Sequence, residues 1–257
     1  MPIQKCPLCL KIKQIVSSHL MPEAMYRFCT PAGGHPISIS SQFVIESDHQ
    51  RQDYLLCEDC ENDLTRAGES WLLPLLPPYK GSFPFYDLLT KFPPGTINGD
   101  AAVYATATNP EIRWEELIHF AMGVFWKAAV HSWSGSCTET LIDLGSYTER
   151  VRKFLRYEAG FPEHLALMIG VFPPPAQLIS FYNPYQGSKK EWHNFLFYVS
   201  GIEFCLAAGK AVHARDRNNC FACNPAHPIV VADFSADIET IVSGAWAKRH
   251  KAKSVGK

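Results

Sequence analysis

Apolar positions along this chain recur with two periods, and the change of period marks out its elements. In the first quarter a short apolar segment, Ile12 to Val16, is followed by alternation at Phe43, Ile45 and Tyr54-Leu55-Leu56, which predicts two short strands ending at Cys57. Glu58 to Glu69 then takes a helical pattern, with acidic residues in its first turn where the helix dipole favours them. Residues 71–110 are interrupted by Pro74, Pro77-Pro78, Pro84 and Pro93-Pro94, which block continuous helix or ladder pairing and predict an irregular connection. Asn109-Pro110-Glu111 is a helix start, with Asn109 as cap. Leu117, Ile118, Ala121, Val124, Phe125 and Ala128 follow at helical spacing and predict a central core helix.

A second helix start is predicted at Ser146-Tyr147-Thr148-Glu149, a capping box. The helix it opens carries Val151, Phe154 and Leu155 inward and Arg150, Arg152, Lys153 and Arg156 outward, and ends near Gly160. The period then shortens to that of strands at 165–172, 178–182, 195–199, 202–207 and 228–231, consistent with an antiparallel sheet. Ser235 caps a last amphipathic helix carrying Ile238, Ile241, Val242 and Trp246, followed by a basic tail over 248–253. The expected fold class is α+β: a small ββα module at 1–70, a proline-rich connection at 71–110, and a mixed helical and antiparallel-sheet body at 111–257.

Cysteine spacing changes this picture. Nine cysteines in 257 residues would scatter into roughly a third of one CxxC pair, whereas the chain has three. Cys6-Pro-Leu-Cys9 and Cys57-Glu-Asp-Cys60 each place two sulfurs on one side of a tight turn, and two such knuckles complete a tetrahedral S4 site. The expected ion is a structural zinc, and strand, knuckle and helix in this order are what a treble clef requires. No charged segment followed by an apolar run opens the chain and no apolar stretch approaches the roughly 20 residues of a membrane span, so a cytoplasmic protein off the membrane is expected. A net charge of -1 argues against a sequence-independent coat for nucleic acid.

Between the knuckles lies Ser18-His19-Leu20-Met21-Pro22. With Cys6-x-x-Cys9 and Leu55-Leu56-Cys57-x-x-Cys60, this segment gives the first quarter of the chain a resemblance to the HNH endonuclease family, most closely to its zinc-stabilised, treble-clef branch. The resemblance implies that His19 is the general base acting on a water, beside a divalent magnesium or manganese ion that stabilises the leaving oxygen, with DNA or RNA as substrate. The family's two ligands for that ion stand directly before the base histidine and directly after the last cysteine. Here those positions hold Ser18 and Glu61. Glu61 is a competent oxygen ligand and Ser18 a poor one; Asp53, Glu58, Asp59 and Asn62 are near enough in sequence to assist, and Gln52 aligns loosely with the family's intermediate asparagine. The alternative is a treble clef that has kept its fold and lost catalysis, serving as a zinc-binding interaction module or nucleic-acid-binding module.

Cys220-Phe-Ala-Cys223 with His227 suggests a second metal site. Cys29, Cys137 and Cys205 are isolated and read as small buried hydrophobes. His119, His131 and His193 sit beside aromatics and read as core or surface residues. The Arg150 to Arg156 stripe and the basic tail offer phosphate contacts, and the α+β body offers a surface for a protein partner.

Overall fold

In a computed structural model, the described residues are 1–30, 35, 37–39, 44–46, 50–77, 81–133, 142–174, 180–187, 193–212, 217–219, 222–224 and 229–232. The first quarter contains β1 (Ile3–Lys5), β2 (Ile12–His19), α1 (Glu23–Phe28), β3 (Ile37–Ile39), β4 (Val44–Glu46), β5 (Gln52–Cys57) and α2 (Glu58–Leu64). From α2 the chain continues through a π turn at Thr65–Glu69 into α3 (Ser70–Leu72), then α4 (Pro84–Leu89), β6 (Thr96–Asn98) and β7 (Ala101–Tyr104). Two longer helices follow, α5 (Trp114–Val130) and α6 (Tyr147–Leu155), and then β8 (Leu165–Val171), β9 (Phe181–Gly187), β10 (His193–Val199), β11 (Ile202–Ala208) and β12 (Ile229–Val231). The fold is α+β, as expected.

A small sheet of order β1-β2-β5 carries the knuckles, and a nine-stranded sheet of order β4-β3-β9-β10-β11-β8-β12-β7-β6 forms the body. In β2, Ile15 and Ser18 are both buried although they lie three positions apart. A register shift between Ile15 and Ser17 against β5 accounts for that spacing, because one extra residue moves the later side chains to the other face. The expected two strands before the second knuckle exist, but β4 pairs with β3 and only β5 pairs within the small sheet. The large sheet departs from the expected antiparallel pattern at two places, where β3 runs parallel to β9 and β12 parallel to β8.

α5 is buried continuously from Leu117 to Ala128, as a helix enclosed by other elements is, and it takes His119 and Lys127 into the interior along with its apolar side chains. Phe120 and Phe125 meet Phe197 of β10 at ring distances of 6.1 and 4.9 Å. Against another side of α5 packs the π turn, where a Cβ on Gly68 would lie 2.7 Å from Phe120 Cβ; only glycine permits that approach. A single apolar cluster runs from Cys6 and Leu8 through Leu72 and Phe85 to Ile229, drawing on residues from 1–70, 71–110 and 111–257 alike.

Several local expectations are corrected. The proline-rich connection is not irregular throughout: Pro84 occupies the first turn of α4, where its missing N–H costs nothing, and β6 and β7 form an edge hairpin that turns at Gly99 with φ +60°. Asn109 does not cap α5. Its Oδ1 accepts the Glu111 N–H at 3.1 Å in a local turn and its Nδ2 donates to the Leu88 carbonyl at 3.0 Å, so the helix begins only at Trp114. Ser146 makes no side-chain cap bond to α6: its backbone is already helical, at φ -65° and ψ -12°, and the Glu149 carboxylate that would close the box is engaged by Arg152. Arg152 itself faces inward, 6% exposed. The predicted helix after Ser235 and the basic tail lie outside the described residues.

Candidate metal centre and its neighbourhood

Each cysteine pair is shaped by its own local turn. In the first, the Cys6 N–H donates to the Lys11 carbonyl and the Leu10 N–H to the Cys6 carbonyl, both at 2.9 Å, with Leu10 at φ +62°. In the second, Cys57 is the last residue of β5 and Cys60 lies in the first turn of α2. Pairing of β2 with β5 brings the turns together, and the Sγ atoms of Cys6, Cys9, Cys57 and Cys60 all lie within 4.8 Å of one another. The Cys9 and Cys57 sulfurs are 3.9 Å apart. A tetrahedral thiolate site with metal–sulfur bonds of about 2.3 Å has sulfur–sulfur edges of about 3.8 Å, so the four residues fit a metal ion.

The electrostatics carry the same message. A hydrogen bond from the Cys60 side chain, with backbone donors behind it, holds the Cys6 thiol down to about 4, while Cys60 is pushed far up by its bond to Cys6 and by burial. Burial also raises Cys57. Four sulfurs at this spacing cannot all ionise side by side without a cation among them.

The other predicted site residues lie beside this cage. Ser18 is fully buried; its hydroxyl donates to Glu61 Oε2 at 2.8 Å and accepts the Leu56 N–H at 3.3 Å. The two positions that the resemblance assigns to the hydrolytic ion, before the histidine and after the last cysteine, are therefore adjacent in space. His19, half-buried, is the last residue of β2, and its carbonyl accepts a hydrogen bond from Lys127 Nζ at 2.8 Å. Its imidazole has no hydrogen-bond partner among the described residues. Among the described residues the four cysteines are the only group of three or more Cys, His, Asp or Glu side chains close enough to hold an ion, so His19 and Glu61 do not form such a group with a third residue. Asp59 pairs with Lys13, and Asp53 turns to the body.

Three residues that sequence reasoning assigned to packing or solvent hold the module in place. His131, just past the end of α5, meets Asp53 through Nε2 at 2.9 Å, and this hydrogen bond is the main reason the Asp53 carboxyl lies below its ordinary value. Arg152 donates through Nη1 to the Leu8 carbonyl, inside the first knuckle, at 3.0 Å, and its guanidinium is gripped by Glu149 and Glu158. Arg156 reaches Asp63 of α2 at 3.0 Å. No local pattern could have announced these pairs, which are separated by 78, 144 and 93 positions.

Of the second predicted metal site, Cys220 and His227 lie outside the described residues; Cys223 is exposed, with its sulfur 3.8 Å from Arg217 Nη2. Cys29 is buried as expected, 3.2 Å from the Ser200 hydroxyl, and burial pushes its thiol up to about 12. Cys205 is only half-buried. No helix among the described residues is long and apolar enough to cross a membrane.

Compared with protein-family models, with curated proteins and with solved structures, the chain matches none.

Proposed function

We propose that the protein is an HNH-like hydrolase of phosphodiester bonds, in which a zinc ion on Cys6, Cys9, Cys57 and Cys60 is structural and His19 is the general base. The observation that carries this reading is the 2.8 Å hydrogen bond between Ser18 and Glu61, which joins the residue before His19 to the residue after the last cysteine. Zinc is the natural occupant of the sulfur cage, since thiolates in a tetrahedral set select it and a closed cage leaves no position for a substrate.

Glu61 is the residue that would hold a hydrolytic magnesium or manganese ion. Such ions are commonly bound through one or two carboxylates, with water and substrate phosphate completing the shell, and supply stabilisation of the charge on the leaving oxygen. The His19 ring, free of partners among the described residues, is open to take a proton from an attacking water. Lys127, only 2% exposed, fixes the His19 backbone, so the ring swings from an anchored point. Nucleic acid is the substrate class, and the cytoplasm the compartment that keeps such thiols reduced.

Purified protein incubated with plasmid and single-stranded DNA and RNA in magnesium or manganese should cleave at least one of them. His19→Ala should abolish the cleavage and Glu61→Gln should reduce it by about 100-fold or more. Equal cleavage by wild type and His19→Ala would remove the hydrolase reading.

A second reading is favoured by the complete use of the Ser18 hydroxyl and by the alternation of side chains along β2, which directs residues 18 and 19 to opposite faces. On it, the hydroxyl–carboxylate pair has replaced the hydrolytic ion, and the module binds nucleic acid or a protein without cutting. Retention of nucleic acid by both wild type and His19→Ala, with no cleavage by either, is its expected result.

A further inference from the structure

Apart from the cysteine cage, the π turn, the first turns of α5 and the end of α6 enclose a cleft of about 770 Å³. Trp114, Phe154, Tyr157 and Phe161 supply aromatic surface, and His119 lies among them. The walls are ordered by one another: Phe154 meets Phe161 edge-on at 5.6 Å, and Tyr157 stacks on His119 at 5.2 Å with planes 17° apart. Tyr157 holds its ring there from a backbone at φ +56°, a conformation that costs a non-glycine residue energy. His119 is 3% exposed and bonded through Nε2 to the Leu155 carbonyl at 3.1 Å. That carbonyl can only accept, so Nε2 carries a proton, and burial lowers the pKa of the ring, which favours its neutral form.

One carboxylate beside these rings has no cationic partner among the described residues. Glu115 and Glu116 line the cleft, and Arg66, the basic side chain among its described lining residues, is already paired with Asp63 at 2.7 Å. Glu116 receives Arg113 at 3.2 Å, whereas Glu115 has no ion pair among the described residues. After burial itself, the charges of Glu115, Asp63 and Glu116 raise the Tyr157 phenol; Asp63 is held by Arg66 and Arg156, which leaves Glu115 as the carboxylate facing the rings without a cation among the described residues.

We propose that this cleft binds an organic cation with an apolar body, of the alkyl- or arylammonium class. The volume is that of a small-molecule site, ring faces attract a cation that sheds part of its water, and Glu115 supplies the opposing charge. Anions, nucleotides included, meet two carboxylates and an arginine already engaged. The cleft shares no residue with the cysteine cage or with the Ser18, His19 and Glu61 group.

The test is calorimetry on the whole, metal-loaded chain at low salt with three probes of similar size: benzyltrimethylammonium, benzyl alcohol and benzoate. The ammonium should bind saturably and more tightly than the alcohol, with benzoate weakest. Trp114→Leu and Glu115→Gln should each weaken it about fivefold, with metal content and melting temperature unchanged for Glu115→Gln, which sits on the exposed first turn of α5. Benzoate or the alcohol binding as well as the ammonium, no saturable ammonium heat, or indifference of the ammonium to Glu115→Gln would overturn the proposal.

Discussion

The first turn of α2 serves two neighbouring groups built in different ways. Toward the first knuckle, Cys57 and Cys60 complete a cage whose four sulfurs lie within 4.8 Å of one another. Toward β2, Glu61 meets a single hydroxyl, that of Ser18. The cage depends on two local turns and one strand pairing, and each turn positions two ligands at once. The other group needs separate residues to converge, and a single hydrogen bond can occupy the carboxylate in place of an ion. A scaffold can therefore persist while the chemistry beside it is free to change.

The comparison is broken most severely at the cage. Cys57→Ser, or a strong chelator, should abolish stoichiometric metal binding and cooperative unfolding of the first quarter, because structural zinc supplies about 10–16 kcal/mol of apparent folding free energy. Metal analysis with circular dichroism checks this, and a metal-free wild type with an undisturbed melt would refute it. Next in size is Gly68→Ala, which forces a Cβ into Phe120 and the Glu116 carbonyl and should cost about 3 kcal/mol in denaturant titration. Arg152→Met should cost about 2 kcal/mol by leaving the Leu8 carbonyl without its donor, and should also loosen metal retention.

Acid should act more gently. The carboxyls of Glu149, Glu158 and Asp53 all lie below their ordinary values, the first two chiefly through hydrogen bonds from Arg152 and the third through His131. Their stabilisation is complete above the ordinary carboxylate range and is lost as pH falls through the lowered native values. Melting temperature in the metal-loaded protein should thus decline on that acid side, and less so in Arg152→Met. Smallest is Glu61→Gln, which keeps an acceptor for Ser18 and should change stability by less than about 0.5 kcal/mol. A large loss there would make Glu61 a structural residue and remove it from the proposed chemistry.

The cage was legible in the sequence because both halves of it are local: a CxxC turn declares its geometry within four residues. β8, β10 and β11 were legible as short β-rich runs separated by turn residues, whereas β9 runs from Phe181 to Gly187, beyond the run expected at 178–182. Helix starts were less so, since Asn109 found a nearer N–H at Glu111 and a carbonyl at Leu88, and that competition is invisible in a cap motif. Arg152 was misread as outward-facing because charged side chains at helix spacing ordinarily face water, and nothing in the pattern pointed to the partners of Lys127 and His131. Their partners at His19, Asp53 and Leu8 come from strands and turns distant in sequence, and only the packed fold brings them together.

Between the two cysteine pairs the chain makes an excursion: β3 leaves the knuckles and lies parallel to β9 in the large sheet. Both ends of that excursion are fastened by the same four sulfurs. Tyr26, packed edge-on against Phe181 of β9 at 4.9 Å, and Cys29, 3.2 Å from the Ser200 hydroxyl, seat the outgoing arm on the body as well. A metal ion at the four sulfurs would thus clasp the two ends of a loop whose far side is already held by the large sheet.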